Sequence, residues 1–392
     1  MNKKQKLSEK GSFAYENWRL YLAGERSKCI YEFPFYTDAH IYGEDLNLAA
    51  PYKLFNTSLG GQGKMIAPAV VLRMIEFKDF DDLPVARETD TDRYHGGGIN
   101  DEIAALVSLC LGVRMKSGFC NRMFLDETDR FGRPMYLYPE KTPALLKKSE
   151  RPVLPRLSAS VDLEDAHLLA KLPLLKAEAS VALIRAARLY QDALWLADSE
   201  TSLAWVMLVS AMETAAGHWR QERESPIEQL KLFRDGALYH LLRMSGGDEL
   251  ISEAAKLTAD FTGSTKKFVD FTMNFLPEPM SERLNTTRQH SWQPEDMKKS
   301  LKKIYRWRSQ ALHGGTPFPD PMCRPPRMIG KEIYQERPDG IAAQTGGSFW
   351  KNEDTPMLLH AFEHIVRNCL LSWWNSMLET VVEDNSSEQT HV

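Results

Sequence analysis

The stretch "SETSLAWVMLVSAMETAAGHW", from Ser199 to Trp219, constrains this chain more than any other. It is apolar over most of its helical circumference, so it predicts a helix buried on nearly all sides. A helix of that kind needs other helices around it, and the sequence supplies them. "SVALIRAARLYQDALWLA" places apolar residues at helical spacing from Leu183 to Leu196. "LISEAAKLTADF" and "TKKFVDFTMNFL" add shorter helices, and "KKSLKKIYRWRSQALHGG" follows, entered through Pro294 as a first-turn residue. The last helix is expected to start with Thr355 as cap and Pro356 at its first position, running through "MLLHAFEHIVRNCLLSWWNSML". Ser199 is the expected cap of the central helix.

The first 150 residues read differently. "IAPAVVLRMIEF" is β-branched and strand-like, whereas "INDEIAALVSLCLGVRM" reads as a helix with Asn100 as its N-cap. "DETDRFGRPMYLY" predicts a turn feeding a short strand. No βαβ alternation is visible. At 392 residues the chain exceeds what one core usually fills, so two domains are expected. They are an α+β domain over 1–150 and a mainly α-helical bundle over 151–392, the latter interrupted by a long Pro/Gly-rich loop at 316–353.

Charge and cysteine usage bound the function classes. The formal net charge is -4, so any nucleic-acid binding must come from a local patch. Five scattered cysteines without a C-x-x-C pair argue against a disulfide framework or a zinc knuckle and fit a reducing cytoplasm. The polar start "MNKKQKLSEKGS" lacks the apolar core of a signal peptide, and no apolar run approaches a membrane span, so a cytoplasmic protein is expected.

Three short motifs carry little chemistry. "SLGGQGKM" has Ser58 where a phosphate loop needs its first Gly and Met65 where it needs Ser or Thr, so a turn is the reading. "DTDRYHGGGINDE" holds Asp90, Asp92, Asp101 and Glu102 without the spacing of a calcium loop. His360 and His364 have the i, i+4 spacing of two metal ligands, but Glu363 is misplaced for H-E-x-x-H and no third ligand is evident. No metal or cofactor is expected.

The segment ending in His-Gly-Gly is more specific. Met297, Leu301, Ile304, Arg308, Ala311 and Leu312 share one helix face, and Arg308 is the only charge on it. A buried guanidinium needs a carboxylate, a phosphate or a polar interface, and Glu213 is the evident partner. Lys299, Lys302, Arg306 and His313 fall on another face, a basic strip interleaved with Tyr305 and Trp307. On a continuous helix, at roughly 100° per residue, His313 lies about 140° from Arg308. Gly314 and Gly315 are expected to end the helix and let His313 swing out of register. A purely structural reading, with a salt bridge at Arg308 and His313 against the last carbonyls, stays open.

"RSQALHGG" resembles the R-x4-6-H signature of the HEPN superfamily, and "IYRWRSQALHGG" looks most like its Apea-like branch. "LAWVMLVSAMETAAG" is similar to that branch's earlier helix, with its acidic residue at Glu213. The resemblance covers the second half of the chain. It implies a helical-bundle fold and a metal-independent endoribonuclease acting as a homodimer, often an antiphage or toxin effector. A phage-derived trigger or an antitoxin would then be a further partner. Arg308 and His313 would be the catalytic pair, with Glu213, Ser309 and Arg306 supporting. Lys299, Lys302, Lys303 and Tyr305 would contact RNA. Ser309 departs from the Asn, Asp or His common after the Arg, which keeps open a catalytically inactive member binding RNA, a nucleotide or a protein partner. A third alternative makes the helical half a dimerisation scaffold for an activity of the N-terminal half. Arg and His suit RNA cleavage: an imidazole generally titrates at about 6.5, and a guanidinium offers a planar fork to phosphate.

Overall fold

The computed structural model describes residues 10–43, 46–47, 51–57, 66–77, 89–135, 143–145, 151–219, 225–232, 236–280, 283–284, 286–340 and 342–388. The "SLGGQGKM" segment lies outside them. The N-terminal region opens with α1 (Phe13–Leu22), capped by the Ser12 hydroxyl, which accepts the Tyr15 amide. Then come β1 (Cys29–Thr37), β2 (His40–Tyr42), β3 (Leu46–Asn47), β4 (Tyr52–Asn56) and β5 (Ala67–Glu76). After α2 (Ile99–Leu111) lie β6 (Lys116–Ser117), β7 (Arg122–Phe124), β8 (Arg133–Pro134) and β9 (Ser160–Asp162). An antiparallel sheet runs in the order β3-β4-β5-β1-β7-β8, with β6 also paired to β1. β2 and β9 form a separate parallel pair. β5 is the "APAVVLRMIE" run, whose Val70, Leu72 and Met74 alternate inward as a half-buried strand requires.

The C-terminal region is helical. A 3-10 segment (Leu163–Leu174) leads into α3 (Ala177–Leu196) and α4 (Thr201–Trp219), which pack on each other. α5 (Pro226–Leu232) and α6 (Ala237–Thr262), kinked at Gly247, carry a small core of their own around Leu230, Ile251 and Ala255. α7 (Ser264–Asn274), α8 (Pro294–His313) and α9 (Leu359–Glu388) complete the bundle, with α4 contacting α3, α7, α8 and α9. The apolar stretch read as central is central: Trp205, Leu208, Val209 and Met212 are fully buried.

One apolar cluster runs through both regions, from Trp18, Phe35 and Leu72 across α2 to Trp205 and Trp373. α2 packs on α3 and α9 and joins them. At the junction Arg114 is fully buried. Its Nε donates to Leu194 O at 2.9 Å, Nη1 to Asp38 at 2.8 Å and Nη2 to Asp198 at 2.6 Å.

Several helix ends differ from the sequence reading. α2 is capped at Gly98, not Asn100, because the Asp101 carboxylate reaches back to the Gly98 amide at 3.0 Å. Ser199 closes α3 by bonding Leu196 O, and α4 begins at Thr201. α9 begins at Leu359 rather than after Thr355, since the Leu358 amide is drawn to Glu336 O at 2.8 Å.

The segment expected as a loop at 316–353 is built. It holds a 3-10 turn (Asp320–Cys323) and two hairpins, β10 (Met328–Gly330) with β11 (Ile333–Tyr334) and β12 (Ala342–Thr345) with β13 (Ser348–Lys351). Gly346 and Gly347 turn the second hairpin at φ 57° and 79°, the left-handed pair a two-residue turn demands. Phe318 stacks on Trp205, whose other neighbour is Phe362, and Glu336 accepts both Arg283 and the His290 amide.

Candidate functional site

α8 starts with Pro294 at its first turn and buries Met297, Ser300, Leu301, Ile304 and Tyr305. That face lies against α4 and α7. Arg308 continues it one turn further, where burial is partial, and pairs with Glu213 of α4 through Nη2. The Tyr305 hydroxyl donates to the same carboxylate at 2.8 Å, and the guanidinium lies 5.8 Å from the Tyr305 ring centroid. The carboxylate therefore takes two donors from one helix, at i and i+3, a spacing that shares a face. Arg308 Nε is buried and donates to no described residue.

Burial pushes the Glu213 carboxyl up, with Tyr305 and Arg308 pulling the other way. Burial and the adjacent Glu213 push the Tyr305 phenol up to about 12. Tyr305 therefore serves as a neutral donor inside the packed face. Its expected place as an RNA-facing ring is not what the structure shows, because Ile304 and Tyr305 both turn to the core and the Tyr305 hydroxyl is taken up by Glu213.

His313 is the last residue of α8 and is exposed. The helix is continuous to that point: the Gly314 amide still bonds Gln310 O at 2.8 Å, and the chain leaves the helix only at Gly315, φ 63°. The expected swing of His313 toward Arg308 does not occur. Within one chain the two side chains keep the divergence of a regular helix, about 140°. Ser309 is half-buried.

Lys299, Lys302 and Arg306 are exposed along the outer face. The strip is partly engaged by the docked insertion: Lys303 and Arg306 lie 3.6 Å and 3.7 Å from Asp354, and Trp307 Nε1 donates to Asp354 O at 2.9 Å. Such exposed pairs are worth little.

The other candidates resolve into structure. His360 Nε2 meets Gln335 O at 2.7 Å and His364 Nε2 meets Glu278 O at 3.1 Å. Burial pushes the His360 imidazole down to about 4. Among the described residues no group of three His, Cys, Asp or Glu side chains is placed to hold a metal ion. In "DTDRYHGGGINDE", Glu102 is fully buried and takes the Phe13 and Ala14 amides at 3.0 Å and 2.6 Å, with His95 Nε2 at 2.6 Å. It satisfies the free N–H groups at the start of α1.

No described helix is long and apolar enough to cross a membrane. No family model, curated protein or solved structure matches the chain.

Proposed function

We propose that the chain is a metal-independent endoribonuclease of HEPN type, acting as a homodimer, with an antiphage or toxin role. The observation that supports this best is the state of Arg308. It is positioned by Glu213 and Tyr305 but left with unused donor capacity, on the helix that presents His313 to solvent.

In this reading His313 takes the proton from a ribose 2'-OH, and the oxygen attacks the adjacent phosphorus. The P–O5' bond breaks, a 2',3'-cyclic phosphate remains, and an acid gives the leaving 5'-oxygen its proton. Arg308 stabilises the extra negative charge on the pentavalent phosphate. One imidazole does not serve as base and acid in the same step, so His313 of the partner subunit supplies the second. The divergence of Arg308 and His313 along one continuous helix fits this division of labour, because a two-fold axis can bring a pair together from two copies. Lys299, Lys302 and Arg306 from both copies would line the RNA groove.

The test is cleavage of a mixed RNA substrate in chelator by the purified full chain. His313→Ala should reduce the rate about 10² to 10⁴-fold. Mixing His313→Ala with Arg308→Ala chains tests the need for two imidazoles: the heterodimer keeps one His313 and should stay dead, and restored cleavage would mean that one imidazole with an Arg308 from the other copy suffices, which overturns the two-imidazole step. Cleavage by a monomer, shown by sedimentation, overturns the dimer. The engagement of Arg308 by Glu213 favours a second reading, a catalytically inactive member, and salt-sensitive RNA binding without cleavage would select it.

A further inference from the structure

The outer face of the N-terminal sheet plays no part in the Arg308 site. Tyr52 and Leu54 of β4 and Leu72 and Met74 of β5 turn to the core, so Lys53, Phe55 and Arg73 share the opposite face. The register carries this face across four strands. Lys53 stands directly opposite Arg73, Arg73 opposite Glu32 of β1, and Glu32 opposite Arg122 of β7. One row therefore holds three cations and one carboxylate. Glu32 accepts Arg73 Nε at 2.9 Å and lies 3.9 Å from Arg122 Nε. Lys53 is exposed and pairs with no described side chain.

Two cations directly opposite each other on one sheet face weaken the sheet. The fold gains nothing from the charge of Lys53 at this place, so the row points to an anion from outside. Aromatic rings accompany it. The Arg73 guanidinium lies 5.6 Å from the centroid of the half-buried Phe55. At the other end Phe131 is 79% exposed, and its carbonyl accepts Arg122. The loop after β7 also carries acids. Asp126 is turned onto the Thr128 amide at 2.8 Å and Asp129 onto the Gly132 amide at 3.0 Å, while Glu127 is accompanied by the exposed Arg130.

Charge and shape select the occupant. Four strands at the usual spacing make a row about 14 Å long, which fits a chain of phosphates better than a single one. Open rings beside such a row offer unpaired bases a stacking surface, the combination by which sheets hold single strands. We propose that the outer sheet face captures single-stranded RNA, with phosphates on Lys53 and Arg122 and a base stacked on Phe131. The choice of RNA rests on the ribonuclease reading, for which this face is the local basic patch that a chain of net charge -4 requires.

The experiment measures the anisotropy of a labelled, unstructured RNA of about 12 nucleotides on the full chain carrying His313→Ala, which spares the RNA. Lys53→Gln in that chain should weaken binding and make the salt slope shallower by about 0.7, the share of one phosphate. It should not lower the urea midpoint, because it relieves the like-charge pairing with Arg73. Phe131→Ala should weaken binding about tenfold at an unchanged slope, the worth of one stacked base. The same RNA as a duplex should not respond to Phe131→Ala. Either variant binding like its parent overturns the proposal. So does displacement of the RNA by polyglutamate as readily as by unlabelled RNA, which would make the face a dock for acidic protein. The two readings fail separately. RNA held through Lys53 and Phe131 but left uncut by the unmutated chain removes only the ribonuclease; RNA cut while both variants bind unchanged removes only this face.

Discussion

Of the arginines that pair with carboxylates, Arg114 and Arg308 are built differently. Arg114, where the sheet meets α3, has Nε, Nη1 and Nη2 all paired, with two aspartates and a carbonyl as partners and no exposure. Arg308, near the end of α8, has one glutamate, keeps some exposure and leaves Nε unpaired. A guanidinium with every nitrogen paired and no exposure is out of a ligand's reach, so its contribution is to hold three segments together. A half-saturated one is held in place with capacity to spare. The contrast separates an arginine spent wholly on the fold from one that keeps a donor in reserve.

The largest effect should come from the saturated site. Arg114→Met leaves Asp38 and Asp198 buried and facing each other, and removing one member of such a network costs about 3–5 kcal/mol. Urea unfolding should show this loss; a mild phenotype would break the contrast. His313→Ala, expected to be severe in cleavage, should shift stability by less than about 0.5 kcal/mol, as exposed substitutions do. A large drop in melting temperature would make His313 structural.

Arg308 should fall between. Arg308→Ala removes one charged hydrogen bond to Glu213, worth about 1.5–3 kcal/mol, and part of that returns as Glu213 takes up a proton. Arg308→Lys should recover much of this stability and none of the cleavage, because an ammonium lacks the planar fork. If Arg308→Lys cleaves like the parent while Arg306→Ala does not, the motif arginine is Arg306.

The smallest effect is the pH dependence carried by Glu213. Burial raises its pKa in the folded chain above the unfolded value, so the folded state binds this proton more tightly. Stability from this group is present below the unfolded pKa and declines as pH rises through the raised folded one. Glu213→Gln should flatten that slope between the ordinary carboxylate range and neutrality, measured as urea midpoints against pH. An unchanged slope would remove Glu213 from the account.

The helices were legible in the sequence wherever an apolar period was long, as in α3, α4 and α8. β5 was legible through its β-branched run. Glu213 as the partner of Arg308 could be read because an isolated acid in an apolar helix needs a cation. Caps were misplaced because the decisive contacts came from elsewhere: Asp101 onto Gly98, and Glu336 O onto Leu358. The "TGGS" turn at Thr345–Ser348 was a usable hairpin signal, hidden inside a segment read by composition alone. Arg114 could not be paired from sequence, since its partners lie 76 and 84 positions away.

The Glu102 carboxylate has a consequence for how the chain is made. α1 leaves the ribosome before α2, and the group that satisfies its opening amides is encoded 88 residues after Ala14. Until α2 is synthesised and its first turn swings into place, the nascent α1 has no such anchor and must wait as a fluctuating segment. Ribosome-bound chains halted before residue 102 should therefore be cut by protease within α1, and chains halted after the sheet and α2 have emerged should resist.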